Sequence, residues 1–206
     1  MLMNIFYTCY IKRILDLIYA SIGLTILFPI LFIIGILIKL NSKGPIFYNQ
    51  TRIGKNFKPF KILKFRTMII NADKKGLKIT TKNDSRITKI GKILRKTKLD
   101  ELPQLINVIK GDLALVGPRP EVKKYVTLFK KEYKSLLMFR PGITDNAAIA
   151  YIDEESLLEK AENPEKTYIK KIMPKKLKIY NTYIQSISFL TDTEIILKTI
   201  LKIIIK

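Results

Sequence analysis

The chain begins with a long apolar segment and continues as a polar, strongly charged region. Twenty-two residues, 17–38, carry no charge, and Pro29 lies near their middle. As a helix this segment would measure roughly 33 Å, enough to cross a hydrocarbon core about 30 Å thick. It is too long for a signal peptide, and no small-residue cleavage site follows it. The pattern therefore predicts a permanent membrane anchor.

Two paths through the membrane fit this anchor. Proline removes a backbone donor and kinks or breaks a helix, so a bend is expected at Phe28 and Pro29. Under the positive-inside rule, basic residues on both flanks place both ends in the cytoplasm, which favours a re-entrant helix. A kinked helix that simply spans the bilayer is an equal alternative. The flanking basic residues are Lys12, Arg13, Lys39 and Lys43.

After the anchor the pattern changes to that of short strands. Residues 46–48 and 57–68 are β-prone, and the Gly54 region between them has turn chemistry, which predicts a small hairpin. Lys64 and Arg66 are two residues apart and share one face. Two neighbouring cations repel each other unless an anion lies between them. A solvated strand edge is the simpler alternative for this pair.

Helical spacing dominates the remaining chain. Residues 71–86 are polar and predict a loop, whereas apolar residues in 87–95 recur at helical intervals. Residues 194–206 carry three lysines at intervals of four among Ile and Leu, which predicts an amphipathic helix. This helix suits either an anionic membrane surface or a core with three solvated lysines. No later segment matches the first in apolar length, so a polytopic membrane enzyme is excluded.

A further helix is expected after Lys98. Proline is tolerated only in the first turn, so Pro103 predicts a start at Asp100 or Glu101, and Gly111 predicts the end. Asp100 would then be the N-cap of this helix. A carboxylate at a helix start is also kept ionised, and it could attack phosphorus or hold a divalent cation. Because helical neighbours point about 100° apart, Asp100 and Glu101 would have different functions.

Composition narrows the chemistry. The net charge is +21, from 38 basic and 17 acidic residues, so phosphates, nucleic acid or acidic lipid headgroups are expected partners. The single cysteine, Cys9, excludes internal disulfides, and the absence of histidine excludes Ser-His-Asp and Cys-His catalysis. Arg119 lies between Pro118 and Pro120, which hold it in a fixed place, and guanidinium grips phosphate by two bonds. Taken alone, Pro-Arg-Pro is a weak motif that usually marks only a turn.

These pieces together resemble the bacterial sugar transferases, the small monotopic phosphoglycosyl transferases. The likeness runs from Lys12 to about Thr199, and several motifs occur in the same order. They are Lys12-Arg13-Ile14-Leu15-Asp16, the proline-centred anchor, Gly44-Pro45-Ile46-Phe47, Lys64-Phe65-Arg66-Thr67-Met68, Leu99-Asp100-Glu101-Leu102-Pro103-Gln104-Leu105, Lys110-Gly111-Asp112, Val116-Gly117-Pro118-Arg119-Pro120 and Arg140-Pro141-Gly142-Ile143-Thr144.

The resemblance implies a reaction and a set of site residues. Such enzymes move a sugar 1-phosphate from a UDP-sugar to undecaprenyl phosphate and release UMP. By the family pattern Asp100 would attack the β-phosphorus and contact Mg²⁺, and Glu101 would orient the lipid phosphate or assist its approach. Arg95 and Arg119 match positions near the phosphates, and Lys64 and Arg66 are assigned to phosphate neutralisation. Asp192 also matches a family position, for which a structural role is expected.

The resemblance also implies an organisation. The expected fold class is α+β: one membrane-associated domain with a re-entrant helix, a small β-hairpin and surface amphipathic helices. Residues 1–40 would be the anchor, and 41–206 the catalytic domain on the cytoplasmic face of the bacterial inner membrane. Membrane lipids are further expected partners, nucleic acid is not expected, and a homo-oligomer is left open.

Two departures from the family pattern limit what carries over. Family members usually place serine before the kink proline, where this chain has Phe28, so one support for the bend is lost. The residues after Thr144 lack the common Gly-Trp-Ala-Gln continuation, so no sugar is assigned. Two other classes are disfavoured. A membrane-tethered nucleic-acid binder would explain the charge, but no nucleic-acid motif occurs. A non-catalytic scaffold is disfavoured by the intact Asp100 and Glu101.

Overall fold

The computed structural model describes residues 6–72 and 84–205, so most of the loop expected over 71–86 lies outside the described residues. The described part is mainly helical, with one antiparallel and one parallel pair of strands, which confirms the α+β class. The helices are α1 (Lys12–Asn41), α2 (Lys89–Lys96), α3 (Gln104–Lys110), α4 (Lys123–Leu128), α5 (Lys130–Leu136), α6 (Asn146–Ala150), α7 (Glu154–Glu159), α8 (Pro164–Thr167), α9 (Met173–Gln185) and α10 (Phe189–Ile204). The strands are β1 (Phe47–Ile53), β2 (Pro59–Phe65), β3 (Ala114–Val116) and β4 (Gly142–Thr144).

Helix α1 contains the apolar segment and runs without interruption through Pro29. By length and composition it could cross a membrane. Its buried residues lie near its two ends, at positions 12, 16 and 20 and at 34, 35 and 38, and both ends pack on the same domain. Ala20 joins a cluster with Val108 of α3, and Ile38 joins another with Phe65 of β2. Between these ends large apolar side chains are exposed: Ile22, Ile26, Phe28, Ile30, Phe32 and Ile33.

The predicted hairpin is confirmed, with a longer first strand than expected. β1 and β2 pair antiparallel from Phe47 opposite Phe65 to Ile53 opposite Pro59. Asn107 of α3 joins the edge of β2, because its side chain accepts from the Leu63 N–H and donates to the Lys61 carbonyl, each at 2.9 Å. This contact holds α3 against β2, and the turn before α3 contacts Lys64 of that strand through Glu101.

The parallel pair of β3 and β4 was not predicted from the sequence. Each strand has three residues, and Ala114 pairs with Gly142 and Val116 with Thr144. A Cβ on Gly142 would lie 2.1 Å from the Gly117 nitrogen, so glycine is needed where the two backbones approach. This close approach fixes the backbone that leads from β3 into Arg119.

The main core lies beneath α4, α5 and α9. Its fully buried members include Tyr133, Leu136, Met173 and Tyr180. Helix α10 packs Ile195 inward, whereas its residues Leu190, Leu197, Ile200 and Leu201 are exposed. The predicted amphipathic helix is therefore present and begins five residues earlier than expected, with one face packed on the domain and one face exposed.

Candidate active site

Asp100 lies in a tight turn rather than at a helix start. Lys98 adopts a left-handed backbone conformation with φ +58°, and Leu99–Glu101 then forms a single 3₁₀ turn. Helix α3 begins only at Gln104. Oδ1 of Asp100 is buried and has no hydrogen-bond partner among the described residues. The expectations that α3 starts at Asp100 or Glu101 and that Asp100 is its N-cap are therefore wrong, because the strained turn at Lys98 displaces the helix start.

Glu101 has the opposite environment from its neighbour. Its Oε1 accepts from Lys64 Nζ at 2.6 Å and from Arg119 Nη2 at 2.5 Å, and its Oε2 accepts from Arg119 Nη1 at 3.2 Å. Burial alone would raise the pKa of Glu101, but the charges of Arg119 and Lys64 outweigh it and hold that pKa well below its usual range. Glu101 is thus an anion held between two cations, Lys64 of β2 and Arg119 of the segment after β3.

The electrostatics of Asp100 suit a reactive carboxylate. Burial, and secondarily the charge of Glu101, raise its pKa to about 6, while Lys64, Arg95 and Lys98 oppose the rise. At neutral pH most of the carboxylate is ionised, although burial and Glu101 disfavour its charge. An ionised oxygen without a hydrogen-bond donor is poorly stabilised and therefore a better nucleophile.

Arg95 is positioned by the packing of α2 on the end of β2. A Cβ on Gly91 would lie 2.0 Å from the Thr67 carbonyl oxygen, so only glycine permits this approach. Arg95 Nε donates to Thr67 Oγ1 at 2.9 Å, and its Nη1 donates to Glu155 Oε1 at 3.0 Å. Sequence reasoning missed Glu155, which lies 60 residues away in α7, and no local signal points to this pair.

Arg66 occupies a different place from the other predicted cations. Its guanidinium donates to the Ser42 carbonyl and hydroxyl at 2.8 Å and to the Lys43 carbonyl at 2.9 Å. It thus holds the chain just after α1, and its role at phosphate stays a prediction. Phe28 and Pro29 lie on the exposed middle of α1, apart from these charged groups.

Two further buried polar groups lie close to this cluster and were not assigned from sequence. Asp145 caps α6 by accepting from the Ala148 N–H at 2.7 Å, and its Oδ2 has no partner among the described residues. Burial raises the pKa of Asp145 to about 6, and the charge of Arg119 opposes this. Gln104 is buried as well, and its Nε2 lacks a described partner. The unusual sequence after Thr144 was the only signal for Asp145.

The carboxylates of this cluster could supply one ligand to Mg²⁺, but not a complete magnesium site. Mg²⁺ is commonly held by one or two carboxylates together with substrate phosphates and water. Asp100 has an oxygen free for such a role, whereas both oxygens of Glu101 are taken by cations. Residues 6–72 and 84–205 contain no group of three or more His, Cys, Asp or Glu side chains that could hold a metal without substrate.

Comparisons with known proteins point to one family. Residues 7–206 match the family model described as Bacterial sugar transferase. A UDP-N-acetylgalactosamine-undecaprenyl-phosphate N-acetylgalactosaminephosphotransferase of Aeromonas hydrophila is 40% identical over 145 residues, 69% of this chain and 34% of that protein. A UDP-glucose:undecaprenyl-phosphate glucose-1-phosphate transferase of Klebsiella pneumoniae is 37% identical over 93% of this chain and 39% of that protein. The protein of the same name from Caulobacter vibrioides is 35% identical over 92% of this chain and 68% of that protein. The chain thus spans about a third of the Aeromonas relative and two-fifths of the Klebsiella one.

Proposed function

The chain belongs to the bacterial sugar transferase family, and we propose that it transfers a sugar 1-phosphate from a UDP-sugar to undecaprenyl phosphate. Relatives named for this type of transfer align over more than nine-tenths of the chain. Their names specify different sugars, N-acetylgalactosamine and glucose. The residues after Thr144 depart from the common family pattern, so the sugar is left to experiment.

The bare Oδ1 of Asp100 is the observation that carries this proposal. In the first step Asp100 forms a bond to the β-phosphorus of the donor. The bond from that phosphorus to the bridging oxygen breaks, and UMP leaves with the electron pair. An acyl phosphate on Asp100 then carries the sugar. Burial keeps water away from this intermediate.

The second step returns the enzyme to its starting state. An oxygen of undecaprenyl phosphate attacks the phosphorus on Asp100, the acyl phosphate bond breaks, and the carboxylate is regenerated. Lys64, Arg119 and Arg95 would neutralise charge on the phosphates during both steps. Glu101 would hold the first two of these cations in place, because it contacts both.

Asp100 is the residue that would contact Mg²⁺, and a bound Mg²⁺ would neutralise charge on the diphosphate of the donor. Glu101 contributes differently, because its oxygens are engaged with Lys64 and Arg119. Its charge holds those two cations in place when no phosphate is present.

The packing of α1 supports a monotopic arrangement on the cytoplasmic face of the inner membrane. Both ends of the helix contact one charged domain, so a simple crossing would carry part of that domain into hydrocarbon at high cost. The exposed apolar middle, 21–33, would instead dip into the bilayer. Cysteines placed at Tyr10 and Lys43 in a Cys9→Ser background should be labelled from the same side. Labelling from opposite sides would contradict the re-entrant form.

The decisive experiment is UMP release by detergent-purified protein. With Mg²⁺, undecaprenyl phosphate and a panel of UDP-sugars, we expect turnover with at least one donor and loss of at least about a thousandfold in Asp100→Asn. Without the lipid, a covalent mechanism releases only one UMP per protein. If no donor of a broad panel supports UMP release while membrane association is retained, the result would favour the scaffold alternative.

A further inference from the structure

A pocket opens beside the N-terminal end of α1, away from Asp100. Arg13 donates to the carbonyls of Val108 and Ile109 at 2.6 and 3.1 Å, and Arg140 donates to that of Gly111 at 3.0 Å, so the pocket lies at the C-terminal end of α3. Asp100 precedes the other end of this helix, whose length is roughly 10 Å. The residues that line the pocket include Lys12, Arg13, Asp16, Lys55, Arg140 and Tyr183.

The pocket has more positive charge than its own carboxylates offset. Lys12 is paired with Asp192, and Asp16 accepts from the Leu115 N–H at 3.1 Å. For Arg13, Lys55 and Arg140, no carboxylate of the described residues lies within 4.0 Å. Both guanidinium groups therefore retain N–H donors for a ligand after they have bound the α3 carbonyls.

Apolar side chains are exposed on several segments that form this pocket. Tyr10 and Ile14, which flank the lining residues of α1, are 64% and 57% exposed, and Phe57, two residues after Lys55, is 39% exposed. Met138, two residues before Arg140, is 64% exposed. Basic groups in a recess with apolar neighbours on separate segments match the boundary between lipid headgroups and acyl chains.

We propose that this pocket binds the phosphodiester headgroup of an anionic phospholipid, with the lipid chains beside the exposed apolar residues. Guanidinium binds phosphate oxygens by paired hydrogen bonds, and the exposed Lys55 adds a further positive charge to the lining. The pocket directly precedes the apolar part of α1 in sequence, where headgroups would lie. The inference rests on the proposed membrane location and is independent of the phosphotransfer chemistry.

Lipid retention by the detergent-purified full chain tests the proposal. The protein is equilibrated with equal amounts of phosphatidylglycerol and phosphatidylcholine of identical chains, and retained lipid is counted by native mass spectrometry. We expect preferential retention of phosphatidylglycerol and a loss of about fivefold in Lys55→Gln. Lys55 is exposed, so this variant should fold normally. Lys58→Gln, which removes the same charge from the same loop outside the pocket, should retain the lipid as the unaltered protein does.

Three results would overturn the proposal. One is equal retention of the two lipids, and another is an equal effect of Lys55→Gln and Lys58→Gln. The third is displacement of phosphatidylglycerol by millimolar inorganic phosphate, which would identify a soluble anion as the ligand. UMP release measured on the same samples separates this question from the proposed reaction, because lipid retention does not require turnover.

Discussion

Asp100 and Asp192 are both buried carboxylates near lysine, yet their hydrogen bonding is opposite. Asp192 accepts from the hydroxyls of Tyr7 and Tyr183, each at 2.7 Å, and from Lys12 Nζ at 2.5 Å. Asp100 leaves one oxygen with no donor among the described residues. The first carboxylate joins the segment before α1, α1 itself, α9 and α10, whereas the second forms no ion pair with the described residues and has one oxygen unpartnered.

This difference distinguishes an aspartate that stabilises the fold from one that is available for catalysis. A buried carboxylate whose oxygens accept hydrogen bonds stabilises the fold. A buried oxygen without a donor lowers the free energy of unfolding, unless a ligand supplies the missing partner. Both positions match the family pattern in sequence, and the hydrogen bonds supply a physical reason for the different roles expected of them. Changing each aspartate to asparagine, an isosteric loss of charge, should therefore affect stability with opposite signs.

Asp192→Asn should have the larger effect. It leaves the ammonium of Lys12, whose side chain is 11% exposed, without its anion. Breaking a buried pair of this kind costs about 3–5 kcal/mol. We expect a clear fall in Tm, measured by thermal unfolding in one detergent. An unchanged Tm would mean that Lys12 finds another partner and that the contrast with Asp100 is false.

Asp100→Asn should instead stabilise the protein. Burial raises the pKa of Asp100 from 3.8 to about 6, a shift equivalent to about 3 kcal/mol at most. The asparagine variant avoids this cost, so its Tm at neutral pH should be higher while its activity is lost. A lower Tm would show that the carboxylate has stabilising contacts after all.

The pH dependence of stability tests independently whether Asp100→Asn stabilises the protein. Between about pH 4 and pH 6 folded Asp100 keeps a proton that the unfolded chain has lost, so the contribution of Asp100 to stability falls as pH rises through this window. The Tm difference between Asp100→Asn and the unaltered protein should grow over that range and then level off. Asp145 also has a pKa raised to about 6 by burial, but it is present in both proteins and cancels in the difference.

Glu101→Gln sharpens the comparison within the turn. The charge of Glu101 is the second cause of the raised pKa of Asp100, after burial. Its removal, with Lys64 and Arg119 still in place, should lower that pKa. The acid limb of first-step UMP release, expected near pH 6 in the unaltered enzyme, should then move to lower pH. An unmoved limb would assign it to a group other than Asp100.

The sequence predicted the parts of this molecule that depend on local pattern. Uncharged residues marked α1, turn residues marked the hairpin, and Gly111, with φ +90°, ends α3 as expected. The pairing of β3 with β4 was missed because three-residue strands have no visible period. The site was predicted as a set of residues, but not its contacts. The unpartnered oxygen of Asp100 depends on the left-handed backbone conformation of Lys98. The partner of Arg95, Glu155, lies 60 residues away in the sequence.

That distant partner provides the smallest expected effect. Glu155 occupies one N–H group of Arg95 where a substrate phosphate is proposed to bind, but its side chain is 44% exposed. Exposed pairs contribute about 0–1 kcal/mol, so Glu155→Gln should lower the KM for the UDP-sugar by less than about fivefold, with kcat unchanged. Salt should reduce the difference, because screening weakens exposed pairs.

Glu162→Gln removes the same charge from an exposed position outside α7 and should leave the KM unaltered. Equal changes in the two variants would indicate a general effect of charge. A higher KM in Glu155→Gln would mean that Glu155 orients Arg95 for phosphate rather than competing with it. Arg95 would then resemble Lys64 and Arg119, which a carboxylate holds in place, whereas no ion pair joins Asp100 to a cation of the described residues.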